Sequence, residues 1–169
     1  NGWLVFNFIS KGKKLLQNHP IGLRTLFLTE MWERMSFYGM RGILVLFMTA
    51  SLIDGGLAID SVSASAIYGI YSSSVYLVAL LGGWIADRHI GQQNAILYGG
   101  LVIMIGHFLL AFTNIETFYL GLIFVVLGTG LLKPNISAIV GGLYEKEQEK
   151  KEAGFTIFYM SINIGSVLG

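Results

Sequence analysis

The sequence predicts an all-α, polytopic membrane protein, and three observations carry that reading. Of the 169 residues, 54% are hydrophobic and only 12% charged, about half the charge of an average soluble domain. Glycine is abundant at 22 residues, while proline occurs twice. That balance suits helices packed closely in lipid. The apolar residues fall in long runs separated by short polar stretches, and roughly 20 such residues carry a helix across the hydrocarbon core. The same composition excludes other classes. The chain is too apolar for disorder. It has no cysteine, which removes a disulfide-stapled module and any thiolate metal site. A net charge of +1 offers no basic surface for nucleic acid.

The elements follow in order. Residues 1–20 form an N-terminal cytoplasmic or interfacial segment. Its apolar run (Trp3, Leu4, Val5, Phe6, Phe8, Ile9) is too short to span and lacks the basic start of a signal peptide. Residues 21–169 form a partial transmembrane bundle. The first span covers about 21–52 and follows His19-Pro20, a helix-start signal. The others cover about 62–86, 94–112, 117–143 and 153–169. They are separated by a Gly-rich turn at 53–56, polar loops at 87–93 and 113–116, and a charged loop at 145–152. The fifth run is still apolar at Gly169, and the chain starts at Asn1, so it reads as a portion of a larger membrane protein.

Cationic residues outside the spans set the orientation. Lys11, Lys13, Lys14, Arg24, Arg88, Lys146, Lys150 and Lys151 all fall on the side of the N-terminus and the even-numbered loops. That side is therefore predicted to be cytoplasmic.

Three cations remain inside spans, Arg34, Arg41 and Lys133, with two acids, Glu30 and Glu33. A charge at the bilayer centre costs about 2.5–3.5 kcal/mol on insertion scales, so these groups must pair and face the bundle interior or water. Glu30, Arg34, Phe37 and Arg41 fall within about 60° of one another on a helix, with Glu33 and Tyr38 at the flanks. Glu30 stands four residues before Arg34, the favourable order for an ion pair. A buried network that only fixes helix packing is one reading, since such pairs often break even. Proton coupling is the other. A carboxylate in low dielectric keeps its charge only while a cation holds it, and regains a proton when that cation is engaged elsewhere. Lys133, beside the kink expected at Pro134, is a partner for Glu30 or Glu33 or for an anionic substrate.

Span two places Tyr68, Ser72 and Tyr76 on one face. Tyr68 fits an interfacial belt, and mid-span Tyr76 is the better cavity candidate. Asn163, on a face with Phe155 and Tyr159, is an interior hydrogen-bonding group. The pairs Gly82-Gly83, Gly99-Gly100 and Gly141-Gly142, and Gly128 with Gly130, serve close helix packing. His107, alone on its helix, reads as a structural hydrogen-bonding group. The spacings of a zinc protease or a serine hydrolase do not occur, so no catalytic or metal residues are assigned.

Glu30-Met31-Trp32-Glu33-Arg34-Met35-Ser36-Phe37-Tyr38-Gly39 resembles the Glu-x-x-Glu-Arg-Phe-x-Tyr-Tyr-Gly signature of the proton-dependent oligopeptide transporters, within the major facilitator superfamily. Gly83-Trp84-Ile85-Ala86-Asp87-Arg88-His89-Ile90-Gly91 resembles the superfamily's loop motif between helices two and three. Residues 130–135 and 153–159 are similar to the family's fourth and fifth helices. Met35 and Phe37 replace Phe and Tyr of the signature, and Gln92, Gln93 and Asn94 follow the loop motif where a basic residue is usual. The resemblance implies helices 1–5 of a major-facilitator-type N-terminal bundle in the cell membrane. It implies symport of di- and tripeptides by alternating access, with protons as the coupling ion and no cofactor. It assigns proton coupling to Glu30, Glu33, Arg34 and Lys133. It places Arg41 and Lys133 at the peptide carboxylate, with Tyr38, Tyr76 and Asn163 lining the pocket, and Gly83, Asp87 and Arg88 at the cytoplasmic gate. The remaining helices of the same transporter would complete the site. The alternatives are a relative carrying another anion such as nitrate, or a non-transporting membrane subunit with a structural charge network.

Overall fold

The computed structural model describes residues 18–169; the apolar run at 1–10 and Lys11, Lys13 and Lys14 lie outside them. Among the described residues five α-helices follow one another: α1 (Ile21–Thr49), α2 (Ser61–Ile85), α3 (Gln92–Leu110), α4 (Ile115–Gly142) and α5 (Gln148–Leu168), with a short π-helical turn (Ala86–Ile90) between α2 and α3. By length and composition α2 with its π turn, α3 and α4 are long and apolar enough to cross a membrane. α1 carries Arg24, Glu30, Glu33, Arg34 and Arg41 in its sequence, and α5 opens on the charged run from Gln148 to Glu152.

Local chemistry sets the ends. The carboxylate of Asp60 caps α2 by accepting from the backbone amides of Val62 and Ser63, at 3.1 and 3.0 Å, and so satisfies two of the free amides of its first turn. Gly91, at φ 77° and ψ 150°, takes a positive-φ extended conformation open to glycine, which ends the π turn and admits α3. Asn114 accepts from the Glu116 amide at 2.8 Å at the start of α4.

The chain divides into two compact units, one formed by residues 18–39 with Val140–Gly169 and the other by Met40–Ile139. In the second, α4 packs on two neighbours through glycine. A Cβ placed on Gly99 of α3 would lie 2.8 Å from the Gly128 carbonyl oxygen, and one on Gly106 would lie 2.9 Å from that of Gly121. Gly82 of α2 meets the backbone of Gly130 more closely still. In lipid, contact of this kind replaces the water-driven packing of soluble cores. The expected glycine pairs divide in their use. Gly82 and Gly99 lie in the seams, whereas Gly100 and Gly142 face open space, because adjacent helical residues point about 100° apart.

In the first unit, Tyr144 is fully buried. Its hydroxyl lies 2.7 Å from His19 Nδ1, and its ring packs on Gly154 of α5. The start of α1, the turn after α4 and α5 are thereby joined.

Candidate functional site

In the first unit, α1 places a small charged cluster among apolar side chains. Glu30 and Arg34 are 2% and 4% exposed, so both charges are out of solvent and must satisfy each other. Arg34 Nε lies 3.4 Å from Glu30 Oε1. Its fork is turned onto the neighbouring residue, with Nε donating to Glu33 Oε2 and Nη2 donating to Glu33 Oε1 at 2.5 Å. Bidentate pairing of this kind is among the strongest charge-assisted contacts a protein makes. Sequence spacing made Glu30 the leading partner; in the structure Glu33 takes the fork and Glu30 the second place. The guanidinium also sits 4.9 Å from the Phe37 ring centroid, a cation–π contact. Where the family signature has a tyrosine, this chain thus has a platform without a hydroxyl. Tyr38 stands edge-on to Phe37 at 5.5 Å.

Gly165 of α5 belongs to this cluster and had no place in the sequence reading. A Cβ on it would lie 2.7 Å from Arg34 Cβ, so only glycine lets α5 run against the base of the arginine. The available signal was the small residue two positions after Asn163 on an otherwise apolar helix. Asn163 itself is exposed and donates to the Tyr159 carbonyl of its own helix at 3.2 Å. It was expected as an interior group, but in these helices its amide is taken up by the backbone one turn earlier.

In the second unit, two cations lie on the tyrosine face of α2. Arg41 Nε donates to the Tyr68 hydroxyl, and its guanidinium is 5.2 Å from that ring's centroid. Lys133 Nζ is 4.9 Å from the Tyr76 ring centroid. Tyr68, expected in an interfacial belt, is therefore a cation partner, and its eight-residue offset from Tyr76 was the signal for it. Pro134 follows Lys133 inside α4. A proline removes one backbone donor and disturbs the preceding turn. Asn135, 2% exposed, sends its amide to the Leu131 carbonyl at 2.6 Å and reaches the Gly82 carbonyl of α2 at 3.4 Å.

The loop motif lies at the end of α2. Gly83 faces Pro134, with a Cβ there meeting the ring at 3.6 Å. Asp87 and Arg88 are exposed on the π turn. Asp87 accepts from Gln92 at 3.4 Å, and Arg88 lies 5.6 Å from the Trp84 ring centroid.

Residues 93–169 match the family model PTR2, described as the POT family. The chain is 50% identical over 89% of its length to the uncharacterized transporter YclF of Bacillus subtilis, covering 31% of that protein. It is 49% identical over 93% of its length to the peptide transporter YePEPT of Yersinia enterocolitica, also covering 31%. Among solved structures it resembles the peptide transporter POT in complex with sulfate, with a TM-score of 0.84 and 51% identity, over 87% of this chain and 30% of that one. It also resembles a POT family transporter in complex with 5-aminolevulinic acid, with a TM-score of 0.84 and 43% identity. The chain thus spans about a third of the length of the curated relatives it matches.

Proposed function

We propose that the chain, similar to POT family transporters along most of its length, supplies the first five membrane helices of a proton-coupled symporter of di- and tripeptides working by alternating access. The observation that carries the reading is the buried Glu30–Arg34–Glu33 cluster. Two carboxylates share one guanidinium out of water, so any change in what Arg34 holds alters the free energy of protonating Glu30 or Glu33. Arg41 of α1 and Lys133 of α4, which lie against Tyr68 and Tyr76 of α2, supply the other half of the mechanism. Arg41 offers a fork for a peptide carboxylate, and Lys133 a compact charge on an aromatic face. Binding of an anionic group by these cations and protonation of the glutamates are the two events that coupling has to link through a differential interaction. Glu30, Glu33, Arg34 and Lys133 then carry proton coupling. Arg41 and Lys133 bind the substrate carboxylate, Tyr38, Tyr76 and Asn163 line the pocket, and Gly83, Asp87 and Arg88 serve the cytoplasmic gate. Protons are the coupling ion, with no cofactor.

The protein lies in the cell membrane with its N-terminus cytoplasmic, its remaining helices closing the site from the other side. α1 and α5 cross the bilayer as well, with Glu30 and Arg34 of α1 buried, as charges within a membrane must be.

In the full-length protein in liposomes, Glu30→Gln removes the titrating group and keeps its shape. Proton-driven accumulation of a dipeptide is lost, while counterflow exchange of the same dipeptide persists. Accumulation at the wild-type level in this variant would remove Glu30 from the coupling step.

A further inference from the structure

The seam between α2 and α4 is fixed at several points of different chemistry. Gly82 and Gly130 bring the two backbones together. Pro134 rests against Gly83. On one flank Lys133 reaches the Tyr76 ring. On the other flank Asn135 joins its own helix to the next, donating to Leu131 at 2.6 Å and reaching Gly82 at 3.4 Å. Lys133 and Asn135 are about 200° apart around α4, so they grip the seam from opposite sides.

Around the Gly82–Gly130 approach, Val78 sits against Gly130 and the Pro134 ring against Gly83; these apolar contacts bring the backbones together but are not directional. The buried Asn135 amide supplies a directional contact across this seam. We propose that Asn135 is a positioning residue. Its bond to the Gly82 carbonyl sets the rotation of α4 against α2 and so holds the Lys133 ammonium over the Tyr76 ring. Turning α4 by a fraction of a residue would carry the end of a side chain as long as lysine off the ring face, and cation–π attraction falls once the cation leaves it.

The proposal rests on the transport reading only for its kinetic consequence; its structural consequence is measured without transport. Two variants of the full-length protein separate the two bonds of Asn135. Asn135→Ala removes both. Asn135→Ser keeps a donor for the carbonyl four residues back, which a helical serine reaches, but is too short for Gly82. In the detergent-solubilised protein, the rate at which an acylating amine reagent modifies Lys133 is read by peptide mass spectrometry. In liposomes, KM and Vmax for a dipeptide are measured. Both variants are expected to raise the Lys133 acylation rate about two- to fivefold, the worth of one lost cation–π contact. Both are expected to raise KM by a similar factor with Vmax little changed. If Asn135→Ser labels like wild type, Asn135 only mends the helix at Pro134 and the proposal fails. Unchanged labelling in both variants also overturns it. If Asn135→Ala does not fold, the serine variant decides alone. If wild-type protein takes up no dipeptide, the transport reading fails, and the Lys133 labelling still decides the role of Asn135.

Discussion

Arg34 shows what one side chain's geometry adds to its charge. It holds Glu33 through both arms of the fork and keeps Glu30 at 3.4 Å. A lysine retains the charge but has no planar fork. Arg34→Lys forfeits at least one charge-assisted hydrogen bond, worth about 1.5 kcal/mol or about tenfold. Proton-driven dipeptide uptake by the full-length protein in liposomes is expected to fall by about that factor. The sequence made Glu30, Glu33, Arg34, Arg41 and Lys133 visible because charge is scarce in this chain. It paired Glu30 with Arg34 because their spacing is one helical turn. It could not rank Glu33 first, since adjacent residues diverge around the helix and only the rotamer of the arginine turns the fork back. The offset of Tyr68 from Tyr76 put both on one face but did not name Arg41 as the partner of Tyr68, for a related reason. Periodicity gives the face of a helix but not what is packed against it.

At the level of elements, glycine position decides which contacts are strong. A Cβ on Gly99 meets the backbone of α4 at 2.8 and 2.9 Å, whereas one on Gly100 meets nothing within 4 Å. Gly99→Ala is therefore expected to destabilise by about 1–3 kcal/mol, because backbone cannot move aside as a side chain can. Gly100→Ala is expected to be neutral or stabilising by up to about 1 kcal/mol. Thermal unfolding in detergent, followed by far-UV circular dichroism, reads both. The helix cap at Asp60 has its own signature. The hydrogen bonds given by Ser63, with that of the Val62 amide, hold its carboxyl below the usual carboxylate range. A group with a lowered folded value stabilises above its unfolded value and loses that contribution as pH falls through the folded one. The Tm difference between wild type and Asp60→Ala is thus expected to be full at neutral pH and to shrink as pH falls below the ordinary range of an aspartate. The helices themselves were legible from apolar runs separated by polar loops. The π turn at Ala86–Ile90 was not legible, since the sequence carries no period for a single wider turn.

At the scale of the whole molecule, the surface is that of a protein in lipid. Leu97, Met104 and Phe108 of α3 are all more than half exposed, which a water-facing helix would not tolerate in such number. The proposed topology follows from cation placement and has a direct test. A cysteine introduced at Asp54 in intact cells reacts with a membrane-impermeant maleimide, and one at Lys150 reacts only after permeabilisation; the reverse pattern would invert the orientation. The parts of the site that the sequence could not supply, such as the close approach of α5 to Arg34 at Gly165, are those where a missing side chain, rather than a present one, makes the contact.

The glycine seams of α4 also bear on temperature. Burial of apolar surface from water weakens on cooling, because its driving force near room temperature is the entropy of the solvent. A seam of backbone against backbone inside lipid draws on dispersion and dipolar contacts instead. Chilling leaves those intact, so the grip of α4 on α2 and α3 should hold in the cold, where many soluble interiors begin to loosen.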